Sequence, residues 1–291
     1  MNFKIAAAQY DISFLRFWKV YCQKVERWVE QAAAQDAKML VFPEYASMEL
    51  ASLFPKSIYS SLSRQLASMQ SVLDDYIGLY RTLAISYQCY IVPGTFPVQM
   101  PNGDYRNRSF LFMPGGHVDY QDKLMMTRFE NEQWLIKSGQ ELKVFNTEFG
   151  KCAISICYDS EFPMLARAQV EAGANLIIVP SCTDTLAGYH RVKIGCQARA
   201  LENQCYVVQS PTVGQAPWSE AVDMNVGAAA VFTPVDRGFP DNGILAAGEL
   251  NAVQWVMAEI SLDGCERVRE QGQVFNFTDW PLQKRYDQAV E

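Results

Sequence analysis

The stretch Ile154-Ser-Ile-Cys-Tyr-Asp-Ser-Glu-Phe-Pro163 is a β-branched run that ends on a cysteine and breaks at a proline. The pattern predicts a strand over 151–157, because Ile154 and Ile156, with Val144 and Phe145 upstream, suit a pleated, half-buried surface. Cys157 then stands at a strand end, ahead of a turn and a helix start at Pro163, where a thiol can reach a cleft and lie near free backbone N–H groups. Free cysteine more often behaves as a small buried hydrophobe, so Cys157 acquires meaning only from partners.

Working outward, the residues on both sides alternate between strand and helix patterns. Strands are expected at Phe3–Gln9, Met39–Phe42 and Cys89–Phe96, and helices at Phe17–Ala34 and over 59–87. Pro114-Gly-Gly116 has the composition of a hairpin turn between Ser109–Met113 and His117–Tyr120, and a second hairpin is expected between 142–147 and 151–157. Beyond Pro163 the reading gives helix 163–172, strand 175–180, helix 189–203, strand 205–210 and strands near 226–233, 244–248 and 253–260. Helix-linked strands mixed with hairpins imply mixed sheets covered by helices, a layered α/β architecture. No linker divides the chain, so 1–291 reads as one domain, with 271–291 a polar, aromatic-dotted tail that packs on a partner subunit or on the domain's outside.

Composition narrows the function. At 291 residues and 49% hydrophobic content the chain supports a sizeable core. A net charge of -7 without a basic stripe excludes nucleic acid and an anionic membrane as expected partners. No run approaches the roughly 20 apolar residues of a membrane span, and the start lacks the layout of a signal peptide. The eight cysteines show no C-x-x-C spacing, which points to a reducing cytoplasm and to neither a zinc site nor a disulfide framework, and no metal or cofactor is expected. Asn107-Arg-Ser109 and Asn276-Phe-Thr278 match the glycosylation pattern by chance.

Three reactive side chains occupy comparable places: Glu44 beyond the strand stopped by Pro43, Lys123 after the first hairpin, and Cys157 at a strand end. In layered α/β proteins functional groups converge at such ends. The segments Phe42-Pro-Glu-Tyr45, Asp122-Lys-Leu124 and Cys157-Tyr-Asp-Ser-Glu-Phe-Pro163 resemble the signature blocks of the nitrilase superfamily of carbon-nitrogen hydrolases, in that family's order. Ile5-Ala-Ala-Ala-Gln9, Gly173-Ala-Asn-Leu-Ile-Ile-Val-Pro-Ser181 and Arg199-Ala-Leu-Glu-Asn203 extend the resemblance over nearly the whole chain.

The resemblance implies a four-layer αββα sandwich with mixed sheets, pairing into a homodimer or higher homo-oligomer, and a Glu-Lys-Cys triad acting on a small-molecule amide. Thiolate is the nucleophile, so a thiol needs a base, here Glu44, and burial after an apolar strand would raise its carboxyl pKa toward that task. Lys123 and the backbone N–H of Tyr158 would face the oxyanion of the tetrahedral intermediate. The family's second glutamate falls on Glu130 or Glu132, and counting back from Gly139 favours Glu132. Cys-Tyr-Asp is closer to amidase-like branches than to the Cys-Trp-Glu of nitrile-hydrolysing members, so amide or N-carbamoyl hydrolysis through a thioester ranks ahead of nitrile hydrolysis.

Adjacency adds Tyr45, Met48, Phe129, Trp134, Glu161, Phe162, Cys182, Thr183, Asp184 and His190 as substrate-binding candidates, a set that suits a small amide with a polar or cationic end. Two rival readings stand beside this one. His117 or His190 could activate the thiol as a Cys-His pair, and a non-catalytic binding protein could keep the fold without the chemistry.

Overall fold

The structure, a computed structural model, describes residues 1–286. Its strands are β1 (Asn2–Asp11), β2 (Ala37–Phe42), β3 (Tyr90–Pro93), β4 (Thr95–Gln99), β5 (Tyr105–Phe112), β6 (Val118–Asp122), β7 (Phe145–Thr147), β8 (Gly150–Ile154), β9 (Leu176–Ser181), β10 (Tyr206–Gln215), β11 (Met224–Asn225), β12 (Ala230–Phe232), β13 (Ile244–Ala247) and β14 (Gln254–Ser261). In one sheet β1 lies between antiparallel β14 and parallel β2, β2 continues to parallel β3, and β5 pairs antiparallel with β3, β4 and β6. In the other, β8, β9 and β10 run parallel, flanked by antiparallel β7 and by antiparallel β12 and β13. The sheets meet where the end of β1 pairs with β10, Tyr10 against Thr212 and Asp11 against Val213.

Strand periodicity makes the layers, because successive side chains leave a strand on opposite faces. Phe3, Ile5 and Ala7 of β1 and Met39 and Val41 of β2 join the core shared with Ile154, Ile177 and Val207 of the second sheet. Their neighbours Ala6, Ala8, Tyr10, Leu40 and Phe42 face the opposite way, onto Val25 and Val29 of the helix Trp18–Ala33 and Tyr76 and Tyr80 of the helix Leu73–Tyr87. Ala166, Val170, Val192, Cys196 and Ala200, from the helices Pro163–Glu171 and Leu186–Asn203, cover the second sheet. The result is a helix–sheet–sheet–helix sandwich with mixed sheets.

Two expectations shift in detail. The strand leading to Cys157 ends at Ile154, and Cys157 opens a tight turn, Cys157–Glu161, with its own backbone in the left-handed region at φ 47°. The hairpin before it is short, Phe145–Thr147 against Gly150–Ile154. The start of the expected tail rests on its own chain. The guanidinium groups of Arg167 and Arg269 both stand over the Phe277 ring, and Phe277 donates its N–H to Gln204. Residues 287–291 of that tail lie outside the described residues. No helix among the described residues is long and apolar enough to cross a membrane.

Candidate active site

Parallel strands deliver the reactive groups to one place. β2 stops at Pro43, and Glu44 follows where the chain turns sharply through Tyr45 at φ 57°. Gly94 makes that turn possible: a Cβ there would stand 1.8 Å from the carbonyl oxygen of Pro43, so the loop can approach β3 only over a glycine. Lys123 follows β6, with its N–H donated to Asn107 and its carbonyl accepting from Gly139. Cys157 follows β8, and Cys182 follows β9.

Glu44, Lys123 and Cys157 are all buried, with at most 4% of their surfaces exposed. Lys123 Nζ lies 2.8 Å from Glu44 Oε1 and 2.8 and 2.7 Å from the two carboxylate oxygens of Glu130. Burial opposes the charge on Lys123, yet the carboxylates of Glu130 and Glu44 outweigh it and hold the ammonium well above its usual pKa. Burial likewise opposes ionisation of Glu130. The Lys123 charge and hydrogen bonds from Lys123, Tyr45 and Thr127 prevail, so its pKa falls below the ordinary value. Glu44 has fewer donors; burial raises its pKa, Glu130 adds repulsion, and Lys123 offsets only part. The Cys157 thiol, which donates to the Cys182 carbonyl at 3.8 Å, is pushed well above its ordinary pKa, by burial first and the Glu44 charge second.

The arrangement is therefore a buried thiol near a carboxylate whose pKa is raised, with an ammonium close to both. Asp159 ties these parts together. Its carboxylate accepts the N–H groups of Leu124 and Met125, just after Lys123, and of Ile156, just before Cys157. Burial pushes the Asp159 carboxyl up to about 7 against those hydrogen bonds.

The expectation for Glu132 is corrected. Glu130, 2% exposed, is the glutamate on Lys123, whereas Glu132 stands on the open face of the helix Arg128–Glu132, paired with Arg128 at 2.9 Å. The cause is local: Thr127 caps the helix, its N–H donates to Glu130 Oε2 and its hydroxyl accepts from the Glu130 N–H, which turns Glu130 inward. Two residues later the helix has rotated about 200°, so Glu132 faces solvent.

A cavity of about 280 Å³ opens onto Cys157. Of the adjacency candidates, Tyr45, Phe129, Trp134, Glu161, Cys182, Thr183 and Asp184 line it, together with Tyr158. Phe162, Met48 and His190 do not. Phe162 packs edge-on against Tyr158, Met48 is buried in the helix-covered core, and His190 is exposed beside Tyr189. His117 is exposed on the hairpin turn, so neither histidine lines the cavity with Cys157. Arg191, Glu220, Asp223 and Met224 were not foreseen; Glu220 and Asp223 arrive from a loop remote in sequence with no strand-end signal, and Met224 opens β11 just after it. The mouth carries the carboxylates of Glu161, Asp184, Glu220 and Asp223 against one guanidinium, Arg191, which lies 3.5 Å from Glu161. No group of three or more histidine, cysteine or acidic side chains among the described residues could hold a metal ion.

Comparison with known proteins places this geometry. Residues 4–270 match the family model described as carbon-nitrogen hydrolase. The chain is similar to a "Probable hydrolase YhcX" of Bacillus subtilis, 34% identical over 95% of this chain and 53% of that protein. It is also similar to a deaminated glutathione amidase of Dictyostelium discoideum, 33% identical over 50% of this chain and 47% of that one. The chain spans about half the length of these two relatives. Among solved structures, Saccharomyces cerevisiae Nit3, a member of branch 10 of the nitrilase superfamily, superposes with a TM-score of 0.76 at 23% identity, covering 92% of this chain and 93% of that one.

Proposed function

The chain belongs to the carbon-nitrogen hydrolase family, and from that premise we propose that it hydrolyses the carbon–nitrogen bond of a small amide or N-carbamoyl compound through a thioester on Cys157. The observation that carries this reading is the buried cluster in which Lys123 Nζ bridges Glu44 and Glu130 at 2.7–2.8 Å beside the Cys157 thiol, at the floor of the cavity.

In the proposed cycle Glu44 takes the thiol proton as Cys157 Sγ attacks the substrate carbon. The oxyanion forms beside the Lys123 ammonium and the Tyr158 N–H, in the first turn after Cys157 where backbone donors lack helical partners. Glu44 returns the proton to the leaving nitrogen, ammonia or an amine departs, and the thioester remains. Water, deprotonated by Glu44, attacks the thioester carbon; the C–S bond breaks and the thiol recovers its proton. Nitrile hydrolysis would use the same nucleophile, but the Cys157-Tyr-Asp159 block favours the amide.

The mouth supports a narrower substrate class. Four carboxylates against one guanidinium favour a cationic or neutral end over an anionic one. Ammonia release over a panel of small amides, N-carbamoyl compounds and nitriles tests the reaction, with intact-mass analysis after rapid quenching to capture the acyl-enzyme. An acyl adduct on Cys157, absent in Cys157→Ala, is expected; turnover that survives Cys157→Ala overturns the proposal.

A further inference from the structure

Asn107 was first notable only as a chance glycosylation match, and the fold gives its side chain another place. It is fully buried on β5, which shuts it off from any sugar in the folded chain. Its backbone carbonyl accepts the Lys123 N–H at 2.9 Å, which holds β5 beside the loop that carries the ammonium. Its Nδ2 donates to Glu44 Oε1 at 2.8 Å and to Glu130 Oε1 at 3.2 Å.

A primary amide has two N–H hydrogens, so one neutral group can supply a proton to each of two carboxylates. The reversed amide would aim its oxygen at both carboxylates, so the network itself fixes the orientation. Asn107 Oδ1 is buried with no partner among the described residues, an orientation whose compensation lies in the two bonds on the nitrogen side. Lys123 and Asn107 both end on Oε1 of Glu44. No N–H of the described residues is hydrogen-bonded to Oε2, so the second oxygen is free of amide and ammonium donors, while the Cys157 thiol rests on the Cys182 carbonyl at 3.8 Å.

We propose that Asn107 is a positioning residue: it bridges Glu44 and Glu130 with a neutral two-proton donor, so that one lysine serves both carboxylates and Glu44 keeps an oxygen free to take the Cys157 proton. The inference rests on Glu44 being the base of the proposed hydrolysis. The titratable groups facing Glu44 are Lys123 from the loop after β6, Glu130 from the helix Arg128–Glu132, Cys157, Cys182 after β9, and Tyr45 on its own loop. Asn107 stands between the two that repel each other. Without its donors the repulsion from Glu130 grows, and Glu44 holds its proton to higher pH.

The test uses Asn107→Leu and Asn107→Ser in the full chain, with thermal unfolding as the fold control. One readout is kcat and KM for an accepted amide from pH 4 to 9; the other is the rate at which iodoacetamide alkylates Cys157 over the same range. For Asn107→Leu the acid limb is expected to move up by about half a pH unit or more. Its kcat should fall about tenfold or more from misplacement of the base, with KM within about threefold. Asn107→Ser, whose short hydroxyl carries one proton, should show the same changes to a smaller degree. An unmoved acid limb in a folded variant, or a change confined to KM, overturns the role. If the leucine variant does not fold, the serine variant decides by the same criterion. Alkylation needs no turnover, so a wild-type chain that hydrolyses no amide would refute the hydrolase reading while the alkylation limb still judges Asn107.

Discussion

Asp159 Oδ1 accepts the backbone N–H of Met125 at 2.7 Å, and through that contact the turn holding Cys157 is pinned to the loop holding Lys123. Asn at this position keeps the shape but offers one acceptor oxygen where the carboxylate offers two, so Asp159→Asn leaves a buried N–H unpaired. A loss of about 1–3 kcal/mol is expected, together with reduced turnover as Lys123 and Cys157 lose their common anchor. The pH dependence has a definite sign. A carboxyl raised to about 7 in the folded chain, from an ordinary 3.8, favours folding most at low pH and loses that contribution as pH rises toward 7. The stability gap between wild type and Asp159→Asn should therefore shrink between pH 5 and 8 by at least about 1 kcal/mol, one pKa unit's worth. Urea unfolding at the two pH values measures it, and a gap that widens with pH contradicts the assignment.

The two nearby glutamates separate cleanly. Glu130→Gln removes the charge that Lys123 meets at 2.7 Å in a buried setting, so turnover should fall by about a hundredfold. Glu132→Gln loses only a solvent-exposed pair with Arg128, and its kcat/KM should stay within about twofold of wild type. Steady-state kinetics on both variants decide, and the reverse ranking would return the role to Glu132.

Much of this site was readable because strand ends are readable. Pro43 marks where β2 must stop, Pro114-Gly-Gly116 marks the hairpin before Lys123, and the β-branched run marks the approach to Cys157, so three side chains followed from local punctuation. The layered α/β fold followed from the same alternation. Glu130 was ranked behind Glu132 because spacing from Gly139 carries no information about which way a side chain turns. The available signal was Thr127-x-x-Glu130, a capping box that binds the glutamate back toward the helix start. Glu220 and Asp223 were illegible for another reason: their place at the mouth depends on tertiary docking of a loop without periodicity.

The directions of the pKa shifts fix the shape of the pH profile. In the proposed cycle Glu44 must be ionised to accept a proton, and burial raises its pKa, so kcat/KM should fall on the acid side with a midpoint above the usual carboxylate value of about 4.3. The thiol is raised well above its ordinary pKa, so thiolate does not accumulate near pH 8.5 and the profile should be flat between pH 7 and 9. A tenfold gain per pH unit across that range would mean that free thiolate, rather than the Cys157–Glu44 pair, carries the attack.

Assembly can be tested on the helix Leu186–Asn203. Ile194 and Leu201, 64% and 42% exposed, lie seven residues apart on one stripe, beside the exposed Val235. We infer that this face pairs two copies of the chain, since contiguous exposed apolar surface of this kind marks an interface. Light scattering should give twice the 32.9 kDa chain mass, and Ile194→Asp should shift the population toward monomer. A wild-type monomer at micromolar concentration rejects the pairing.

Charge at the cavity mouth should be visible in substrate choice. Asp184, Glu220 and Asp223 are exposed and take no ion pair among the described residues, and Arg191 is engaged with Glu161, so an entering molecule meets net negative charge on its way to Cys157. In a matched series of amides ending in ammonium, hydroxyl or carboxylate, kcat/KM should descend in that order, and the spread should narrow as salt rises and screens exposed charges. Glu220→Gln combined with Asp223→Asn should lower the ammonium-to-hydroxyl ratio by about threefold or more, since each exposed charge contributes a few tenths of a kcal/mol to about 1 kcal/mol. A carboxylate-ended amide that outpaces its ammonium counterpart would show that Arg191 leaves Glu161 to bind substrate, and the mouth would then select for anions.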